Sequence, residues 1–217
     1  GRQTMTNPDL IDRLVDDLRP TPRGALRWML VGAVTAGIMI AAAIMVPSIG
    51  LRADILTAPG TAMFWIKLGY TSVLALLGLT AAMALSRPEK SSWSGLWAVG
   101  GVFLLTLAGG LWQWGNASEA IRPVLAFGGT ALVCPFFIIA FSAPVLTIML
   151  AAMRRLAPAN PTLAGLAAGL ASGGAGASVY AFHCGENGLL FLALWYSVGV
   201  GLVALSGALL GRTLLRW

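Results

Sequence analysis

The stretch LRWMLVGAVTAGIMIAAAIMV, Leu26 to Val46, decides the fold class. It is broken by one charge at its start and is long enough to cross the roughly 30 Å hydrocarbon core, which takes about 20 apolar residues in a helix. Five further runs approach that length: Ala62 to Leu85, Trp93 to Trp112, Pro135 to Met153, Leu163 to Phe182 and Leu189 to Leu210. The chain therefore reads as an all-α polytopic membrane protein, a bundle of six transmembrane helices. A soluble domain is about a quarter charged, whereas this chain is 10% charged and 58% apolar.

Orientation follows from Lys and Arg. The first run is too long for a secretory signal and lacks a small-residue cleavage site, and Arg23 and Arg27 flank its start, so it is retained with its amino end in the cytoplasm. The inner segments then hold Arg2, Arg13, Arg19, Arg23, Arg27, Arg87, Lys90, Arg154, Arg155, Arg212 and Arg216, against Arg52, Lys67 and Arg122 on the outer half. This asymmetry predicts a bacterial inner-membrane protein with both termini cytoplasmic. It also accounts for the net charge of +6 without nucleic-acid binding, which would need basic residues clustered on a soluble face.

The organisation is a cytoplasmic segment, residues 1–25, and a transmembrane domain, residues 26–217. The outer connections are short, Pro47 to Thr61, Gln113 to Arg122 and His183 to Gly188. The stretch Pro123 to Val133, interrupted by Gly128-Gly129, reads as an outer-face or partly re-entrant segment leading into the fourth helix. In the fifth run Gly165, Gly169 and Gly173 recur every four residues, and Gly207 with Gly211 repeats the spacing in the sixth. Small residues let helices in lipid approach closely; packing within the bundle is the favoured reading, and a homodimer interface is the alternative. Lys67 is expected to snorkel toward the outer headgroups, with Asp54 or Glu119 as partners.

The amino-terminal segment has a design of its own. Asn7 suits an N-cap and Pro8 a first helical position, and Asp9 and Asp12 suit the positive end of the helix dipole. Leu10, Ile11, Leu14, Val15 and Leu18 form one apolar stripe, flanked by Asp12, Asp16 and Asp17 and stopped by Pro20 and Pro22. Helices that lie on membranes present Lys and Arg to anionic lipid. This acidic one is better suited to a protein partner offering an apolar groove with a basic rim.

The two cysteines, Cys134 and Cys184, both fall on the outer side in this topology. Cys134 beside Pro135 is compatible with a plain small hydrophobe. Cys184 stands in the polar turn His183-Cys184-Gly185-Glu186-Asn187, beside the one histidine of the chain. The pair can form a disulfide in an oxidising compartment, or Cys134, His183 and Cys184, with Glu186, can supply soft-metal ligands. No Cys-x-x-Cys, Ser/His/Asp set, phosphate loop or intramembrane carboxylate relay occurs, so no enzyme is expected and no resident cofactor. A membrane thiol-disulfide oxidoreductase and a small transporter are the alternatives to a sensor with a chemical trigger outside and an interaction helix inside.

Several segments carry a family likeness. Asp9-Leu10-Ile11-x-x-Leu14 with Leu18-x-Pro20-x-Pro22, Phe64-Trp65-Ile66-Lys67-Leu68, Cys134-Pro135, and above all Tyr180-Ala181-Phe182-His183-Cys184 leading to Phe191-x-Ala193-Leu194-Trp195-Tyr196, resemble the NrsF-type transmembrane anti-sigma factors. The resemblance covers essentially the whole chain. It implies a six-helix protein whose amino-terminal segment, Asp9, Leu10, Ile11, Leu14, Val15 and Leu18, sequesters an extracytoplasmic-function sigma factor. It implies also that Cys134 and Cys184 sense heavy metals or oxidants, through a transient thiophilic metal ion or through oxidation. His183 joins them by its place in the matching motif.

Overall fold

The computed structural model describes residues 24–86, 94–156 and 158–216, and every regular element in them is helical. Six helices are long and apolar enough to cross a membrane. They are α1 (Ala25–Ser48), α2 (Ala62–Leu85), α3 (Ser94–Gly115), α5 (Cys134–Met153), α6 (Pro161–Tyr180) and α7 (Leu189–Leu214), with a short α4 (Arg122–Phe127) before α5. The amino-terminal helix expected over Asp9 to Leu18 lies outside the described residues.

The apolar runs become helices because only a helix satisfies its own backbone polar groups without water. Hydroxyls inside the runs turn back onto the helix that carries them: Thr35 donates to the Val31 carbonyl at 2.9 Å, Ser142 to Ile138 at 2.6 Å and Ser206 to Leu202 at 2.8 Å. Several boundaries differ from the sequence reading by a few residues, as at the end of α7, which reaches Leu214 rather than Leu210. Pro47, expected to open the outer connection, sits inside the last turn of α1, and α3 continues beyond Trp112 to Gly115. Proline lacks an amide hydrogen, and at a helix end that omission removes one bond only. At the start of α5, Pro135 occupies a position where no intrahelical donor is needed. Asn160 caps α6, its side-chain oxygen accepting from the Leu163 amide at 3.0 Å.

Helix α6 is the central pillar. It packs on α7, α2, α5 and α1, whereas α3 lies at the edge against α2, α4 and the start of α7. The small-residue stripe explains this. A Cβ at Gly169 would come within 2.6 Å of the Ala204 Cα, one at Gly211 within 2.6 Å of the Pro161 carbonyl oxygen, and those at Gly165 and Gly207 would strike each other's helix backbone. On the opposite face, Gly174 and Gly78 hold α6 and α2 together in the same way. The repeated glycines are therefore spent on contacts within one chain.

Both ends of the bundle can be identified from contacts. The Arg52 amide, just after α1, donates to the Phe182 carbonyl just after α6 at 3.0 Å, so the end of α1, the end of α6 and the starts of α2, α5 and α7 form one cap containing the cysteines. Helix α1 has 24 residues, about 36 Å at 1.5 Å per residue. The start of α1 thus lies at the far end from the cap, where Leu30 packs with Met149, Leu150 and Met153.

Candidate functional site

The cap is organised around the turn that joins α6 to α7. Helix α6 ends when the Cys184 amide takes the Tyr180 carbonyl at 3.0 Å, and residues 184–188 then run without regular structure to Leu189. A chain leaving a helix this way frees carbonyls that must find donors. Two are met by one side chain: the Lys67 ammonium, from the second turn of α2, donates at 2.8 Å to the Cys184 carbonyl and at 2.8 Å to that of Glu186. Arg52 approaches the same Cys184 carbonyl, with its Nη1 at 3.5 Å.

This corrects the expectation for Lys67. The side chain is 2% exposed rather than snorkelling, and it meets neither Asp54 nor Glu119. Two unpaired carbonyls close at hand are better partners for the ammonium than a distant headgroup layer. Asp54 is bound elsewhere: Arg52 grips its carboxylate through Nε at 2.6 Å and Nη2 at 2.7 Å. That fork holds the exposed Asp54 carboxyl below, and the Arg52 guanidinium above, their ordinary pKa values.

The turn is stitched to the other elements by its own polar groups. The Glu186 carboxylate accepts from the Gly129 amide at 2.8 Å and from the Thr130 hydroxyl at 3.2 Å. Its position requires Gly128, whose φ of 54° few side chains tolerate and whose absent Cβ leaves the space the carboxylate fills. The segment Pro123 to Val133 accordingly resolves into α4 followed by a turn, and the Trp195 indole donates to the Ala126 carbonyl at 2.9 Å. Half-buried His183 donates from Nδ1 to the Gly50 carbonyl at 3.0 Å, and its ring packs on Tyr180 at 5.8 Å. Gln113 at the end of α3 accepts from the Leu189 amide at 2.9 Å.

Cys134 and Cys184 are brought together. Both are free, both are buried, and they share one apolar cluster with Ile138, Tyr180, Phe191 and Tyr196. Tyr180 stacks on Phe137 at 5.6 Å and packs against Tyr196 at 5.9 Å. The Tyr196 hydroxyl is buried beside Cys184 without a hydrogen-bond partner of good geometry, at the end of a π-helical segment, Leu192–Tyr196. Such single π turns often mark functional positions. The ligand set Cys134, His183 and Cys184 is not gathered: among the described residues no three His, Cys, Asp or Glu side chains lie together as a metal-binding group. The Gly50 carbonyl holds the His183 ring, and Gly129 and Thr130 hold Glu186.

Arg52, Tyr180 and Tyr196 were not singled out as site residues from sequence. Lys67 had a signal, as the one cation well inside an apolar run; Arg52, in a loop, had none.

The constellation Phe64 to Leu68, Cys134-Pro135 and Tyr180 to Tyr196 thus converges on one cap, and sequence comparison names its owner. The family described as negative regulator of sigma F, NrsF, matches residues 14–217. The chain belongs to the NrsF family. It is 38% identical to the anti-sigma-F factor NrsF of Caulobacter vibrioides, across 98% of this chain and the full length of that protein. It is 36% identical to the probable anti-sigma-F factor NrsF of Azospira oryzae, across 90% of this chain and 91% of that one. No solved structure matches the chain. Both NrsF relatives are named as regulators, not enzymes. The NrsF match takes in Leu14, Val15 and Leu18 of the amino-terminal segment and begins after Asp9, Leu10 and Ile11.

Proposed function

We propose that this NrsF-family protein holds an extracytoplasmic-function sigma factor at the bacterial inner membrane through Asp9, Leu10, Ile11, Leu14, Val15 and Leu18, and releases it when Cys134 and Cys184 react with oxidants or thiophilic metals. The observation that carries the reading is the shared burial of the two cysteines at one end of a bundle whose helix α1 starts at the other. The exposed belt of Trp97, Leu104, Leu105, Trp112 and Phe136 suits lipid contact, and the positive-inside bias supports an extracytoplasmic side for the cysteines. The small-residue stripe is occupied within the chain, between α6 and α7.

Oxidation joins the two sulfurs in one bond and passes two electrons and two protons to the oxidant; a thiophilic metal bridges the two sulfurs after each loses its proton. Either event ties the start of α5 to the turn between α6 and α7. A trigger shifts an equilibrium only by its differential free energy between two states. A disulfide contributes about 2–4 kcal/mol, which matches the roughly 2.7 kcal/mol of a hundredfold change in affinity. The test is a sigma-dependent reporter in cells carrying Cys134→Ser, Cys184→Ser or both. Each single change should abolish induction, the double should be no worse, and repression without stress should survive. Additive losses, or full induction in either single variant, would show that the cysteines do not act as a pair.

A further inference from the structure

A cavity of about 470 Å³ opens between the end of α3, helix α4 and the start of α7, with apolar walls from Leu111, Phe127 and Leu190 and with Glu119 and Arg122 in its lining. The two charges share this cavity without touching. The pair of Arg52 and Asp54 is the one ion pair among the described residues, and none of them gives the Glu119 carboxylate a donor. Arg122, by contrast, is aimed. Its guanidinium lies 5.1 Å from the centre of the Trp114 ring, Nε donates to the Ala117 carbonyl at 3.2 Å and Nη2 to the Gly115 carbonyl at 3.2 Å. These bonds satisfy carbonyls left free where α3 ends, and they use one edge of the fork. An arginine has five N–H donors, so both on Nη1 and the second on Nη2 meet no acceptor among the described residues. That free edge is the one that grips a phosphate through two parallel bonds. Exposed Trp112 and Trp114 mark the depth as the headgroup layer, where Trp is enriched.

The geometry points to a binding site for a zwitterionic phospholipid of the ethanolamine class at this junction. The lipid phosphate takes the free edge of Arg122, its ammonium meets Glu119, and its acyl chains start against Leu190 and continue over exposed Leu111 and Phe127. The charge pattern selects the headgroup. A glycerol headgroup brings a phosphate to Arg122 but no cation to Glu119, which is then left facing a like charge. A choline has no N–H for a carboxylate and is best held by an aromatic face, and the Trp114 face is covered by Arg122. An ethanolamine ammonium supplies three donors a short link beyond its phosphate. The cavity is of the size that ligand sites have, and it has walls from three helices. Helix α3 is the least buried of the six spans and meets the start of α7 through Gly110 and Gln113. A lipid seated here bridges that edge helix to α4 and α7, and its binding free energy adds to the stability of the folded chain. The inference does not depend on what the cysteines do.

The test uses the full chain, purified in mild detergent, stripped of lipid and titrated with dioleoyl phosphatidylethanolamine, phosphatidylglycerol or phosphatidylcholine. Native mass spectrometry counts the lipid retained, and tryptophan fluorescence on heating follows stability. The ethanolamine lipid should be held as a single molecule per chain and raise the melting temperature, with the other two bound several-fold less. Arg122→Gln should weaken its binding about tenfold or more, the loss expected when hydrogen bonds to a charged group are removed. Glu119→Gln should erase the headgroup preference and bring phosphatidylglycerol level with phosphatidylethanolamine. Because Arg122 also holds two carbonyls of α3, its variant can fail by misfolding. Glu119 is exposed and holds nothing, so Glu119→Gln decides by itself. Equal retention of the three lipids by the parent, or an unchanged preference in Glu119→Gln, would overturn the inference. So would a spectrum in which the chain pairs with a second copy and carries no lipid.

Discussion

Replacing Gly169 by Ala adds one methyl group at the closest approach of α6 and α7, and its consequence can be worked out from the geometry. The new Cβ would lie 2.6 Å from the Ala204 Cα and 2.6 Å from the Val203 carbonyl oxygen, whereas ordinary contact begins at 3.4 Å. Both obstacles are backbone, so no rotamer change relieves them, and the helices must part by nearly an ångström. Parting them also loosens the Gly165, Gly207 and Gly211 contacts in the same stripe. Overpacking of this kind costs about 1–3 kcal/mol, against an intrinsic gain of up to about 1 kcal/mol when Ala replaces Gly in a helix. Gly100→Ala in α3 is the internal control, since nothing lies within 4 Å of a Cβ there. It receives the intrinsic gain without the clash, so the difference between the two variants isolates the clash. At about 2–4 °C per kcal/mol for a chain of this size, Gly169→Ala should melt several degrees below Gly100→Ala. The assay is tryptophan fluorescence during heating of detergent-purified protein, with light scattering to record the oligomeric state. Equal melting temperatures, or a Gly169→Ala protein of unchanged stability but altered oligomeric state, would refute the assignment of the stripe to packing within one chain.

Changing Leu14 and Leu18 together to Asp should place charge in the middle of the amino-terminal apolar stripe. Sigma-dependent transcription should then rise without stress while membrane levels stay normal, and a silent reporter would show that the binding segment lies elsewhere. Reporter fusions after Lys90, Arg155 and Arg216 should read cytoplasmic, and those at Ala53 or Gly185 external. A C-terminal fusion that reads external would require an odd number of spans.

The six spans were legible in the sequence because the bilayer imposes a length and an apolarity that each segment meets by itself, with little help from its neighbours. The likeness to the NrsF family was legible for a different reason. Its motifs are local strings such as Tyr180 to Cys184, readable before any folding. The role of Gly165, Gly169, Gly207 and Gly211 was only half legible, since a four-residue small spacing states that another helix comes close without stating which one; the geometry gives them to α6 and α7 of one chain. Pro47 and the end of α3 were misplaced by a few residues because a helix end is set by which carbonyls find donors, and that depends on the neighbours.

The cap was decided by tertiary structure alone. Lys67 and Cys184 are more than a hundred residues apart, and nothing local to either announces the other. By itself Lys67 near a membrane surface has water and headgroups within reach, so sequence reasoning sends it outward. Only when α6 ends beside α2, and the turn at Cys184 leaves two carbonyls without donors, does the buried position become the better one. His183 shows the same dependence: its ring reaches the Gly50 carbonyl, more than a hundred residues away in the chain. What a segment can do in lipid is a property of its own residues, whereas the partner of a buried charge is a property of which backbone groups the fold leaves unsatisfied next to it.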